Sequence, residues 1–144
     1  MVAKAKEIDR KAIAELAIQM WESHSIEELM NEISEHMKDE DAQFFVKWMG
    51  NEPIGFAQCQ LRYDYVEGTG SSPVGYLEGI FVEKEFRHRG FAKELLLECE
   101  KWSKEKGCTE FASDCELDNE VSFRFHMAMG FLEAGRIICF KKEL

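Results

Sequence analysis

The residues best suited to chemistry stand together at Arg87-His88-Arg89-Gly90-Phe91-Ala92. A glycine at a helix start lets backbone come close to a ligand, and the N–H groups of a first helical turn have no acceptor inside the helix. Such a turn binds anions. The helix dipole adds positive potential, so a pyrophosphate is a natural guest, with Arg87, His88 and Arg89 beside it. The same six residues also read as a polar loop closed by a glycine turn, and the surroundings must decide. Two acids come next: Glu78, alone among the apolar residues of Val74 to Val82 (VGYLEGIFV), and Asp114, which ends Glu110 to Asp114. In neighbouring parallel strands both would face the cleft where the strands part at their C-terminal ends. An acid at a strand end is, by itself, more often a cap or an ion-pair partner.

Periodicity supplies the elements that must hold these groups. Ile13, Leu16, Ala17, Met20 and Trp21 repeat at helical spacing with Asp9 ahead as a cap, which predicts a first helix. Ser25 and Glu28 form a capping-box pattern before a second helix whose apolar face is Ile26, Leu29, Met30, Ile33 and Met37. Its acids, Glu27, Glu28, Glu32 and Glu35, continued by Asp39, Glu40 and Asp41, read as a solvated face or as the acidic wall of a cleft. Phe44 to Met49, a turn at 50–53, and Ile54 to Tyr65 predict a hairpin. After the loop Gly68 to Pro73 comes the apolar strand Val74 to Val82, then a helix over Gly90 to Lys106 stopped by Gly107. A strand Glu110 to Asp114, a helix from Asn119 to Met129, and final strands around Phe131 and Arg136 to Lys141 complete the order. The class is mixed α/β, one domain over 1–144, with a strand, loop, helix, strand unit at its centre.

Bulk properties narrow the function. A chain of 144 residues with 45% hydrophobic and 32% charged residues has the balance of a folded globular domain. Its net charge of −10 argues against a nucleic-acid surface, which needs clustered Lys and Arg, and suits a cationic small molecule. Acidity also serves plain solubility. The cysteines at 59, 99, 108, 115 and 139 form no C-x-x-C pair, so neither a disulfide frame nor a metal site is expected, and Cys99 and Cys139 read as small buried apolar residues. Neither a signal peptide nor an apolar run of membrane length is seen, which makes the cytoplasm the default compartment.

With these residues in place, the sequence resembles the GNAT acetyltransferase family. That family carries Arg or Gln, two residues, Gly, one residue, then Gly or Ala after its fourth strand, and here the positions are Arg87, Gly90 and Ala92. Asn119, Ser122, Phe125, Gly130 and Phe131 keep the spacing of its next helix and turn. More narrowly, Arg62 to Gly68 (RYDYVEG), Ser71 to Val82 and Gly107 to Asn119 are similar to aminoglycoside 6'-N-acetyltransferases. The fold implied is a mixed six- to seven-stranded sheet flanked by about four helices.

The resemblance also implies roles. Backbone from Arg87 to Ala92, including His88, Arg89, Gly90 and Phe91, would hold the pyrophosphate of acetyl-CoA. Ile80, Phe81 and Val82 would pair with its pantetheine amides, and Asn119, Ser122 and His126 would lie along it. Glu78 and Asp114 would place the amine and pass its proton to water. Trp21, His24, Tyr65 and Glu133 would line the acceptor site with them, although Trp21 also fits the core face of the first helix. Many relatives have a tyrosine general acid seven residues after the matching asparagine; here that position is His126, a proton donor near neutral pH or a neighbour of the cofactor. A homodimer follows by analogy with the fold. Three functions stay open: an aminoglycoside 6'-N-acetyltransferase, an acetyltransferase for another polyamine or protein amine, and a non-catalytic acetyl-CoA-binding module.

Overall fold

The computed structural model describes residues 1–144. Its elements are β1 (Val2–Lys4), α1 (Arg10–Ala17), α2 (Ile26–Met37), β2 (Ala42–Met49), β3 (Glu52–Arg62), β4 (Val74–Val82), α3 (Phe91–Glu105), β5 (Phe111–Ser113) and α4 (Glu120–Ala128). The five strands form one sheet in the order β1-β2-β3-β4-β5. Neighbours are antiparallel except β4 and β5, which run parallel because α3 carries the chain back across the sheet.

Strand alternation decides which helix meets which face. Phe44 and Phe45 are adjacent and both buried, yet they belong to different cores. Phe44, Val46 and Phe56 pack with Ile13, Leu16 and Ala17 of α1 and Leu29 and Ile33 of α2. Phe45, Ala57, Cys59 and Leu77 pack on the other face with Leu95, Leu96, Cys99 and Trp102 of α3, and Phe125 of α4 adds to that side. Each large apolar side chain so buried stabilises by roughly 1.5–3 kcal/mol, and the result is a sheet between two helical layers.

Most sequence boundaries hold within a few residues. The capping box of α2 forms in both directions, with Glu28 N–H donating to Ser25 Oγ at 3.1 Å and Ser25 N–H donating to a Glu28 oxygen at 3.4 Å. Three expectations are corrected. The first helix stops at Ala17, and Asp9 accepts from Lys6 N–H at 2.8 Å instead of capping α1. The sheet has five strands, not six or seven, because residues 132–144 make no backbone hydrogen bond within the chain. Leu132, Ile137, Ile138 and Phe140 in that segment are between 78% and 90% exposed. Cys139 shares that exposure, whereas Cys99 is buried as expected. The tail has the composition of a strand, but propensity does not say which edge supplies the partner.

Candidate active site

The site begins where β4 loses a neighbour. Its pairing with β5 covers Gly75↔Phe111, Tyr76↔Ala112 and Leu77↔Ser113, then ends. On the other side Leu77 opposes Cys59 and Gly79 opposes Gln58, which leaves Glu78 as the extra residue of a β-bulge. A bulge re-aims the side chain it carries. Beyond it, Ile80, Phe81 and Val82 keep β3 on one side and have no strand on the other. That open backbone edge fits an extended chain with amide groups, the kind of partner an unpaired strand edge accepts.

At the far end of this edge lies the glycine turn. Gly90 takes φ +82° and a Cβ there would meet nothing within 4 Å, so the backbone angle and not packing demands glycine. His88 also has positive φ, at 62°. The N–H groups of Phe91, Ala92 and Lys93 open α3 without backbone acceptors. Arg87 Nε donates to the carbonyl of Val82 at 2.7 Å, tying the turn to the end of β4. Arg89 rests near the rings of Phe86 and Phe91, 5.8 and 5.1 Å from their centroids. The arrangement suits a diphosphate: exposed amides, a helix N-terminus and two guanidinium groups.

The sheet face that carries α1 and α2 gathers four polar side chains around the bulge. Arg62 donates through Nε and Nη2 to the two oxygens of Glu78, at 2.9 Å each. Its guanidinium carbon lies 3.4 Å from the centroid of the Tyr76 ring, and the Tyr76 hydroxyl donates to Asp114 Oδ2. Burial, then the hydrogen bond to Asp114, pushes the Tyr76 hydroxyl well above its ordinary value. Burial alone would lower Arg62, but its bonds to Glu78 raise it. Glu78 and Asp114 are thus joined through Arg62 and Tyr76, and Glu78 is an ion-pair partner. Trp21 comes off the end of α1 and lies over β4, where a Cβ on Gly79 would be 2.8 Å from its ring. With His24, Glu32, His36 and Gln58 it lines a recess of about 180 Å³. His24 Nε2 is 3.7 Å from Glu32.

On the opposite face, Asn119 caps α4 by accepting from Ser122 N–H at 3.1 Å. His126 Nδ1 lies 2.7 Å from the Ser122 carbonyl and its Nε2 lies 2.7 Å from Ser113 Oγ. A carbonyl only accepts, so Nδ1 carries a proton toward Ser122, while Ser113 Oγ stands between Nε2 and the Leu77 carbonyl, 3.4 Å away. The ring stands edge-on to Phe131, with centroids 5.0 Å apart. Tyr65, which is 75% exposed, and Glu133 are not joined to the Glu78 and Asp114 cluster by any hydrogen bond or ion pair. Glu133 is paired with Arg136, which holds its carboxyl below the usual range. The neighbouring Ala134 and Gly135 do lie against Gly68 and Glu67, near the loop of Tyr65.

Sequence reasoning missed Arg62, Tyr76 and Ser113 as members of this site. Tyr76 was within reach, since it shares a strand face with Glu78. Arg62 was not, because its position opposite β4 depends on the bulge.

The geometry meets known proteins here. Residues 10–131 match the family model described as the Acetyltransferase (GNAT) family. The chain belongs to the GNAT family. An aminoglycoside N(6')-acetyltransferase type 1 of Salmonella typhimurium is 40% identical over 125 residues, 87% of this chain and 86% of that protein. One of the same name from Acinetobacter haemolyticus is 34% identical over 143 residues, 99% of this chain and 98% of that one. Among solved structures, aminoglycoside N-acetyltransferase AAC(6')-Iy in complex with CoA superposes with a TM-score of 0.97 at 35% identity, covering 100% of this chain and 95% of that one. Within the GNAT frame, the open edge of β4 runs from the bulge at Glu78 to Val82, where Arg87 of the glycine turn is tied to it.

Proposed function

We propose that this GNAT chain is an acetyl-CoA-dependent N-acetyltransferase that modifies the 6'-amine of aminoglycosides. The observation that carries the reading is the placement of paired acids, Glu78 and Asp114, at the fork of β4 and β5, one strand length from an open anion-binding turn. The relatives named aminoglycoside N(6')-acetyltransferase support the acceptor, and the neighbour bound to CoA supports the donor.

Acetyl-CoA, when bound, supplies an activated acetyl group as a thioester. The residues from Arg87 to Ala92 would hold its diphosphate through backbone amides and two guanidinium groups, and Ile80 to Val82 would pair along its amide-bearing arm. On one face of the fork the carboxylates attract a cationic amine and receive its proton; on the other, His126 and Ser113 form a hydrogen-bonded pair able to move a proton in the opposite direction. Trp21, His24, Tyr65 and Glu133 complete the proposed acceptor site, aromatics against sugar rings and acids against ammonium groups. No covalent enzyme intermediate is required when the amine attacks directly. The test is thiol release on mixing the protein with acetyl-CoA and a panel of aminoglycosides and polyamines. Turnover confined to acceptors with a 6'-amine supports the reading, activity only on other amines replaces the substrate, and binding without turnover removes catalysis.

The proposed compartment is the cytosol, where acetyl-CoA is made and used; no helix is long and apolar enough to cross a membrane. One catalytic domain over 1–144 and a homodimer complete the proposal. Support for the dimer comes from the tail after Phe131: it is apolar and without backbone partners, while the outer edge of β5 in the same chain lacks a strand. Two copies can satisfy both needs by exchanging tails about a two-fold axis. Residues 136–142 carry three basic and no acidic side chains in a chain of net charge −10, so a second copy is an electrostatically favourable host. Sedimentation velocity should give the mass of two chains, and Ile138→Asp should reduce it to that of one.

A further inference from the structure

The two cleft carboxylates are not equivalent. Glu78 is engaged at both oxygens by Arg62. Asp114 is engaged at Oδ2 alone, by Tyr76, and its Oδ1 meets no donor in the protein. The Glu78 side chain is 19% accessible on the bulge, whereas Asp114 is exposed at the open end of β5. Arg62 is itself fixed, since the Tyr76 ring supports the guanidinium by its face and donates its hydroxyl to Asp114.

We propose that Arg62 is a positioning residue that divides the labour of the transfer, committing Glu78 to an ion pair and leaving Asp114 as the carboxylate that takes the acceptor's proton. This rests on the acetyltransferase reading above and decides which of its two acids acts. A carboxylate bound bidentately by a guanidinium has its charge compensated and two lone pairs occupied, so an incoming ammonium gains little there. At Asp114 it meets an uncompensated charge. One N–H bond of the ammonium breaks, its electron pair stays on nitrogen, and the proton passes to Asp114 Oδ1 and on to bulk water, which reaches this exposed side chain. Tyr76 meanwhile holds the carboxylate by its other oxygen. The ion pair also has a second consequence. Without Glu78, Arg62 becomes a free cation in a cleft meant for cations.

The experiment is steady-state kinetics with acetyl-CoA and neamine, an aminoglycoside with a 6'-amine, alongside calorimetric neamine affinity without acetyl-CoA and the Tm of every variant. Asp114→Asn lowers kcat by ~100-fold or more, the size of a lost proton acceptor. Glu78→Gln instead raises KM for neamine about 10-fold and weakens its affinity to match, with kcat little changed, because Arg62 now repels the ammonium. Adding Arg62→Gln to Glu78→Gln restores KM, a rescue that a purely structural ion pair would not give. The proposal is overturned if Glu78→Gln lowers kcat as far as Asp114→Asn, if Asp114→Asn keeps full kcat, or if the double variant is worse than either single one. The underlying reading fails differently, through wild-type protein that releases no thiol with neamine.

Discussion

Gly75 and Gly79 sit on the same strand, and neither has room for a side chain, yet the crowding has a different origin in each case. Gly75 belongs to the part of β4 flanked by strands on both sides, and a Cβ there would lie 2.3 Å from Ser103 Oγ and 2.7 Å from the Phe111 ring. Gly79 belongs to the part flanked by β3 alone, and its Cβ would meet Trp21 at 2.8 Å and Met20 at 3.2 Å. In the first half closeness fastens the sheet to α3; in the second it seats an aromatic beside the bulge. A single strand therefore serves as scaffold up to Leu77 and as binding surface after it, and the change occurs at the residue where β5 ends.

Substitutions can break that division. The largest effect is expected from Gly75→Val, which forces Ser103 and Phe111 apart and should lower stability by about 3 kcal/mol in urea unfolding, as overpacked cores do. Gly79→Ala should do less to the fold, because Trp21 can yield, and should raise KM for neamine by roughly 10-fold, equivalent to ~1.4 kcal/mol of acceptor binding. Were the two results reversed, with Gly79→Ala unfolding the protein and Gly75→Val impairing only substrate binding, the division of β4 would be wrong.

What could be read from the sequence was whatever depends on neighbours in the chain. The capping box of Ser25 and Glu28 needs only a spacing of three, and both of its bonds form. The limits of β4 follow from an apolar run between loops, and the glycine turn from one local backbone requirement met at Gly90. Contacts set by register were invisible. Arg62 reaches Glu78 only because the bulge between Gln58 and Cys59 shifts the pairing by one residue. Trp21 fits a helical stripe, but α1 ends at Ala17 and packing draws the indole across the strand, against Phe56 and Gly79. Glu78 was read either as a cleft acid or as an ion-pair partner, and the structure shows the ion pair, with Arg62. The tail was read as strand from its composition, but it makes no backbone pairing with any edge of its own sheet.

That tail makes the lone protomer vulnerable in a specific way. From Leu132 onward every amide lacks a partner within the chain, and the segment is accessible and rich in side chains that proteases favour. A newly made chain diluted among other proteins would be trimmed there first while its sheet survived. A second copy that covered the tail would shield it, so cleavage after Phe131 should slow as the protein concentration rises.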